Sequence, residues 1–302
     1  MTAHVGPEPA PDVAPPSPTV VSVRRGTANI TALDWGGDGP AVVLLHPNGF
    51  CGGLYEPVAD VLRERCRPVA IDLRGHGTTH APTEPEQYHY TRLADDVLAV
   101  LDELALESPI GVGGSLGGAI AVMVDKSSPR RWQRLLLAEP VAFPPDAFGD
   151  AAAENPMSAA ARQRRRSFAD RQVMADAYRR RPPLSQLAPE ALDAYLRWGT
   201  HTDDTGTHLR CDPEIEAIIF EISGTPEGAT AAWNHLPSLS CPATIVAGED
   251  TFLPDIFEAQ ARHARAPLVT VAGGHFVLHE DSARAVDLIT RHTLDQVSGP
   301  PR

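Results

Sequence analysis

The sequence predicts an α/β fold, in which a mostly parallel β-sheet carries helices on both faces and is interrupted by a helical insertion. Two observations lead to this prediction. From Thr19 onward, short β-branched and apolar runs alternate with longer helical patterns, which is typical of a parallel sheet flanked by helices. The alternation stops after Glu139 and resumes at Ala243. The sheet is therefore expected to be split in sequence by an inserted segment.

The predicted elements of the first part of the sheet follow the chain in order. Ala41–Leu45 and Leu135–Ala138 are continuous apolar runs, as expected for strands buried on both faces. Arg92–Leu106 instead places its large apolar residues at helical spacing. The predicted strands are Thr19–Arg25, Ile30–Trp35, Ala41–Leu45, Pro68–Leu73, Ile110–Val112 and Leu135–Ala138, and the predicted helices are Tyr55–Arg65, Arg92–Leu106 and Gly118–Val124.

Residues 140–239 contain no clear strand pattern but several proline-bounded helical stretches, so a helical insertion is predicted there. Residues 19–139 and 240–302 are expected to form the sheet domain, and the Pro- and Ala-rich residues 1–18 a disordered lead-in. The helices predicted for the insertion are Ser158–Tyr178, Pro189–Trp198 and Pro213–Ile222. Beyond it, the strands Ala243–Ala247 and Leu268–Val271 and the helices Ile256–Arg265 and Ala283–Val297 are predicted.

Composition limits the classes of function. The net charge of −13 comes from 26 basic against 39 acidic residues, which disfavours nucleic acid and anionic membranes as partners. No apolar stretch approaches the roughly 18 residues that span a bilayer, and no signal peptide pattern opens the chain. A cytoplasmic protein is expected. The four cysteines form no CxxC pair, and neither a phosphate-binding loop nor a His-Glu-x-x-His motif occurs. No metal or cofactor is therefore predicted.

Ser115 is the candidate nucleophile. The strand pattern Ile110–Val112 runs into Gly113-Gly114-Ser115-Leu116-Gly117 and then into a helical pattern. In this context Gly-x-Ser-x-Gly forms a sharp turn that exposes the serine hydroxyl. A serine hydroxyl is a weak nucleophile without a neighbouring base.

His275 is the candidate base among 12 histidines, because it follows the strand Leu268–Val271 across a glycine turn. The carboxyl ends of parallel strands meet at one sheet edge, where such a histidine reaches the serine. His279, four residues further on, is the alternative.

Asp250 is the predicted acid that orients the histidine, since it lies just after the strand Ala243–Ala247. Glu139 is an alternative, because it directly follows Leu135–Ala138 and ends at the same edge. Glu249 and Asp255 are further candidates in the loop around Asp250.

Two backbone N–H groups are expected to stabilise an oxyanion. One belongs to Leu116, the residue after the candidate nucleophile. The other comes from the loop His46-Pro47-Asn48-Gly49, where Pro47 has no N–H, so that Asn48 or Gly49 must donate. The side-chain amide of Asn48 is a possible additional donor.

Together these motifs resemble the α/β-hydrolase superfamily, and within it the capped esterases, C–C bond hydrolases, cofactor-free haloperoxidases and epoxide hydrolases. The resemblance implies an eight-stranded sheet and a role for residues 140–239 as a cap over the nucleophile. The residues that carry it are His46-Pro47-Asn48-Gly49, Asp72-Leu73-Arg74-Gly75-His76-Gly77, the Ser115 turn, Gly248-Glu249-Asp250 and Gly274-His275-Phe276.

The resemblance implies a hydrolase that cleaves a carboxylic ester of a small or hydrophobic molecule through an acyl-enzyme. Thioester, lactone or C–C bond cleavage on the same residues is an alternative, as is a ligand-binding protein without catalysis. The insertion also contains basic clusters at Arg162, Arg164–Arg166 and Arg179–Arg181. Their ordinary interpretation is a solvated helical face, and the sharper hypothesis is that one arginine recognises an acidic substrate or a carrier's phosphate.

Overall fold

The computed structural model describes residues 17–79, 84–145, 147 and 155–297. The predicted lead-in therefore lies, except for its last two residues, outside the described residues. The strands are β1 (Thr19–Arg25), β2 (Ala28–Asp34), β3 (Ala41–Leu45), β4 (Arg67–Asp72), β5 (Ile110–Gly114), β6 (Arg134–Ala138), β7 (Ser167–Phe168), β8 (Thr200–Asp203), β9 (Gly206–Leu209), β10 (Ala243–Gly248) and β11 (Leu268–Val271).

Eight of these strands form one sheet in the order β1-β2-β4-β3-β5-β6-β10-β11. β2 pairs antiparallel with both β1 and β4, and all other neighbours are parallel. The prediction of an eight-stranded, mostly parallel sheet is thus confirmed. The carboxyl ends of β3, β5, β6, β10 and β11 lie along one edge of this sheet.

Helices cover both faces because alternate residues of the central strands point to opposite sides. Val43 and Leu45 belong to a buried cluster with residues of the helices Tyr90–Glu103 and Leu116–Ser127. Val42 and Leu44 instead pack with residues of the helices Glu56–Leu62 and Ser282–Ile289. The helices are α1 (Glu56–Leu62), α2 (Tyr90–Glu103), α3 (Leu116–Ser127), α4 (Pro156–Arg162), α5 (Arg171–Tyr178), α6 (Pro189–Trp198), α7 (Pro213–Ser223), α8 (Ala229–His235), α9 (Pro254–Ala264), α10 (Ser282–Ile289) and α11 (Asp295–Val297).

The segment between β6 and β10, here called the insertion, is not exclusively helical. β7, β9 and β8 form a small antiparallel sheet within it, so the prediction of an insertion without strands is wrong. The predicted helix Ser158–Tyr178 is in fact α4, β7 and α5. Strands of two to four mostly polar residues are too short to show an alternating pattern. The boundary at residues 139 and 240 stays a prediction.

The insertion contributes its own buried cluster, in which Phe168, Met174 and Tyr195 pack with Phe50 and Leu54 from the loop after β3. The insertion thereby rests on the edge of the sheet where the strands end. Among the helices that the structure describes, none is long and apolar enough to cross a membrane.

Candidate active site

Ser115 occupies the turn between β5 and α3 with φ 53° and ψ −118°, a strained conformation for a residue with a side chain. The residues two positions before and two positions after it must be glycines. A Cβ on Gly113 would lie 2.5 Å from the backbone of Gly117, and one on Gly117 would lie 2.1 Å from the carbonyl oxygen of Leu45. The backbone N–H of Ser115 donates to Ala138 O at 2.9 Å, which ties the turn to β6.

His275 lies in the loop after β11 and brings its imidazole to the Ser115 side chain. Its Nε2 is 3.0 Å from Ser115 Oγ, and its Nδ1 is 2.7 Å from Glu139 Oε2. The imidazole side chain is 19% exposed. One ring nitrogen thus faces the hydroxyl and the other faces a carboxylate, the arrangement in which an imidazole accepts a serine proton.

Glu139 follows β6 and is fully buried, with φ 44°. Besides His275, its carboxylate accepts from the backbone N–H of Gly248 at 2.8 Å and from the hydroxyl of Thr251 at 3.0 Å. A buried carboxylate is tolerated when its oxygens are hydrogen-bonded in this way.

Asp250, the acid favoured by sequence, does not reach His275 in the structure. It is exposed, and its backbone N–H donates to Gly273 O at 2.9 Å. The last residue of β10, Gly248, and Thr251 in the following loop instead donate hydrogen bonds to Glu139, and that carboxylate lies beside the ring. The geometry therefore corrects Asp250 in favour of the alternative, Glu139. Glu249 is likewise exposed, and Asp255 lies in the first turn of α9.

His279, the alternative base, is buried away from this chain of hydrogen bonds. Neither of its ring nitrogens has a hydrogen-bond partner among the described residues, and its ring packs edge-on against Tyr55 at 4.5 Å. Burial lowers the pKa of His279 to about 3. It is a neutral core residue near neutral pH.

The backbone N–H groups predicted to stabilise an oxyanion are those of Leu116 and of Asn48 or Gly49. Within the described part of the chain, neither Leu116 N–H nor Asn48 N–H has an acceptor. Leu116 also opens the 12-residue helix α3, whose N-terminus carries partial positive charge. Gly49, the other sequence candidate, donates its N–H to His76 Nε2 at 3.0 Å. The side-chain amide of Asn48 is also occupied, since it donates to Glu216 O at 3.0 Å.

Two buried histidines form hydrogen bonds that hold the loop after β3. The sequence analysis did not predict this role for them. His76 Nδ1 donates to Arg74 O at 3.0 Å, so Nε2 is free to accept from Gly49. His46 Nδ1 donates to Pro47 O at 2.8 Å, and its Nε2 accepts from Leu73 N–H at 3.0 Å. Burial lowers the pKa of His76 to about 4 and that of His46 well below its ordinary value. Both rings are therefore neutral acceptors.

The insertion contacts the same loop. Tyr195 of α6 donates its hydroxyl proton to Gly49 O at 3.2 Å, and Arg164 forms an ion pair with Glu216 of α7. A cavity of about 680 Å³ lies between the insertion and the loop, and Asn48, Phe50 and Phe276 contribute to its lining. This volume falls in the range of small-molecule sites.

A group of potential metal ligands lies elsewhere, on the β8–β9 hairpin. The ligand atoms of His201, Asp203 and His208 are within 4.8 Å of one another. His208 already hydrogen-bonds Asp203 at 3.1 Å and Ser167 at 2.8 Å. Sequence analysis did not single out these residues.

Comparisons with known proteins agree with the fold. The esterase Rv0045c of Mycobacterium tuberculosis is 29% identical over 286 residues, which cover 93% of this chain and 90% of that protein. The crystal structure of E-2-(acetamidomethylene)succinate hydrolase has a TM-score of 0.78 at 22% identity and covers 92% of this chain and 99% of its own. A thioesterase domain from the curacin biosynthetic pathway has a TM-score of 0.76 at 22% identity, with 91% and 99% covered. At these identities, the two structures show a shared fold.

A family model also matches most of the chain. The model described as the alpha/beta hydrolase family matches residues 42–288, a range that includes Ser115, Glu139 and His275. The resemblance predicted from the motifs is thereby confirmed. The chain belongs to the alpha/beta hydrolase family and has an esterase among its relatives.

Proposed function

We propose that this protein is a serine hydrolase that cleaves a carboxylic ester of a small molecule through an acyl-enzyme. The observation that carries the proposal is the continuous hydrogen-bond chain from Ser115 through His275 to Glu139, with distances of 3.0 and 2.7 Å. The relation to an esterase over 93% of the chain supports an ester as the bond that is cleaved.

The geometry supports a two-stage reaction. His275 Nε2 takes the Ser115 proton as Oγ attacks the carbonyl carbon of the ester, and the carbonyl oxygen becomes an oxyanion between Leu116 N–H and Asn48 N–H. The tetrahedral intermediate collapses, and His275 returns the proton to the departing alcohol. Water then attacks the acyl-enzyme by the same sequence and releases the acid and free Ser115.

In this proposal Glu139 takes the part that sequence analysis gave to Asp250. Its carboxylate accepts a hydrogen bond from His275 Nδ1–H, which keeps Nε2 unprotonated and facing Ser115. It also stabilises the imidazolium that forms during attack. Gly248 and Thr251 donate to the same carboxylate and hold it beside the imidazole.

The experiment that tests the function combines labelling with turnover. We expect a fluorophosphonate probe to modify wild type at Ser115, and a panel of p-nitrophenyl esters, thioesters and lactones to show hydrolysis that is greatest for the esters. Ser115→Ala should abolish labelling and lower kcat by a factor on the order of 10⁴ or more. Ester hydrolysis in the variant comparable to wild type would refute the mechanism, and a preference for thioesters or lactones would refute the bond type.

A further inference from the structure

The cavity beside the oxyanion loop has apolar walls and a cationic end. Phe50, Phe168 and Phe276 contribute aromatic surface to its lining. Among the described residues that line it, four are arginines, namely Arg164, Arg165, Arg180 and Arg181, and one, Glu216, is a carboxylate. This balance is the reverse of that of the whole chain, whose net charge is −13.

The arginines of the insertion differ in their pairing. Three of those that do not line the cavity are neutralised by neighbours. Arg162 pairs with Glu214 and Glu221, Arg166 pairs with Asp212, and Arg179 pairs with Asp176 and Asp193. A solvated helical face explains this group.

The arginines that line the cavity behave differently. Arg164 alone has a carboxylate partner, Glu216, and it also donates to Tyr195 OH at 3.2 Å. For Arg165, Arg180 and Arg181, no acidic side chain of the described residues lies within ion-pair distance. The guanidinium of Arg165 is held by Ser167 O at 2.7 Å and lies 4.4 Å above the Phe168 ring.

Three arginines without an ion-pair partner in the described part of the chain thus line a cavity that extends to Asn48 and to Phe276, the neighbour of His275. Guanidinium groups bind carboxylate and phosphate oxygens through paired N–H donors. In a protein of net charge −13 an anionic substrate is repelled at long range, so a local cationic patch is what allows it to approach.

We propose that this cavity binds the far end of the substrate and that this end carries a carboxylate or phosphate group, joined to the ester by an apolar segment. The inference rests on the proposed ester hydrolysis and specifies its substrate class. Arg165, Arg180 and Arg181 are the residues that recognise the anionic group, and the aromatic walls contact the apolar segment.

The test compares anionic esters with neutral esters of the same shape. One pair is 4-nitrophenyl hydrogen glutarate and its methyl-capped ester. A second comparison uses 4-nitrophenyl 4-phosphonooxybutanoate, which distinguishes recognition of a phosphate from recognition of a carboxylate. A third comparison, 4-butyryloxybenzoate against its methyl ester, places the charge on the alcohol half. For wild type we expect kcat/KM to be at least tenfold higher for an anionic ester than for its neutral partner, and the ratio to fall as NaCl is raised.

The variant Arg165→Gln/Arg180→Gln/Arg181→Gln should lower this anionic-to-neutral ratio at least tenfold. The matched control is Arg24→Gln/Arg92→Gln/Arg171→Gln, which removes the same charge at exposed positions outside the cavity lining and should retain the wild-type ratio. An equal fall in both triple variants would show a long-range charge effect and overturn the inference.

The outcomes also separate this inference from the proposed function. If wild type hydrolyses the neutral esters in a Ser115-dependent way but shows no preference for any anionic ester, only the inference is overturned. If Ser115→Ala hydrolyses the neutral esters as fast as wild type, the proposed function itself fails.

Discussion

At the scale of single residues, the backbone conformation and the hydrogen bonds of Glu139 place its buried carboxylate beside His275. The backbone of Glu139 has φ 44°, an uncommon value for a residue with a side chain. Three donors surround its carboxylate: His275 Nδ1, Gly248 N–H and the Thr251 hydroxyl. The strained backbone thus carries a carboxylate that accepts three hydrogen bonds. Backbone strain of this kind is common at functional sites.

Single substitutions of the two acids test which carboxylate orients His275. Glu139→Gln should lower kcat on a neutral p-nitrophenyl ester by roughly 10³- to 10⁴-fold, because the amide no longer fixes the tautomer or stabilises the imidazolium. Asp250→Asn, at an exposed position, should change kcat by less than about threefold. Circular dichroism checks that both variants fold. A larger loss in Asp250→Asn than in Glu139→Gln would contradict the assignment.

At the scale of elements, the loop after β3 is clamped between the sheet and the insertion. Gly49 has φ +78°, and a Cβ there would lie 2.7 Å from Glu216 Oε1 and 3.0 Å from Arg164. From the sheet side His76 accepts its N–H, and from the insertion Tyr195 donates to its carbonyl. The position of Asn48 N–H therefore depends on contacts from both sides.

A matched pair of glycine substitutions separates backbone strain from this clamp. Gly26 in the β1–β2 turn also has a positive φ, +61°, but a Cβ there meets nothing within 4 Å. Gly26→Ala and Gly49→Ala should each destabilise the protein by about 1 to 2 kcal/mol for the left-handed backbone. Only Gly49→Ala should also lower kcat, by about tenfold or more, since a small displacement of an oxyanion donor is costly. Equal kcat values for the two variants, with unfolding followed in urea, would argue against the clamp.

At the scale of the whole molecule, buried histidines make the fold sensitive to acid. Burial lowers the pKa of His279 to about 3 and that of His76 to about 4, from an ordinary value of 6.5. As the pH falls below 6.5, the unfolded chain takes up protons that the folded chain does not. The free energy of unfolding consequently decreases on acidification.

His279→Phe isolates one of these contributions, because His279 has no hydrogen-bond partner among the described residues and phenylalanine can keep the edge-on contact with Tyr55. Between pH 7 and pH 5 the free energy of unfolding of the variant should fall by about 2 kcal/mol less than that of wild type. This is the contribution of one group that takes up a proton only in the unfolded chain, over the roughly 1.5 pH units from 6.5 to 5. Urea unfolding at several pH values measures this difference. His201→Phe, at an exposed position, is the control; an unchanged pH dependence in His279→Phe would contradict the prediction.

The sheet was largely predictable from the sequence because its central strands are continuous apolar runs with clear breaks between them. Ala41–Leu45 and Leu268–Val271 have the predicted bounds. The strands of the insertion were not predictable, since β7 has only two residues and β8 is short and mostly exposed. Ser115 and His275 follow from local motifs. The choice between Asp250 and Glu139 depends on how the loop after β10 lies against the neighbouring strand. Local sequence patterns do not predict that arrangement.

The burial of Glu139 has a practical consequence for laboratory evolution of the protein. The carboxylate beside His275 belongs to Glu139, directly after β6. Among the described residues, the end of β10 and the loop after it therefore contribute only Gly248 N–H and the Thr251 hydroxyl to it. Phe252 in that loop is 69% exposed, and its ring lies 5.4 Å from that of His275. Residues 249, 250 and 252 can therefore be randomised in libraries that select for new substrates, while Thr251 is kept fixed.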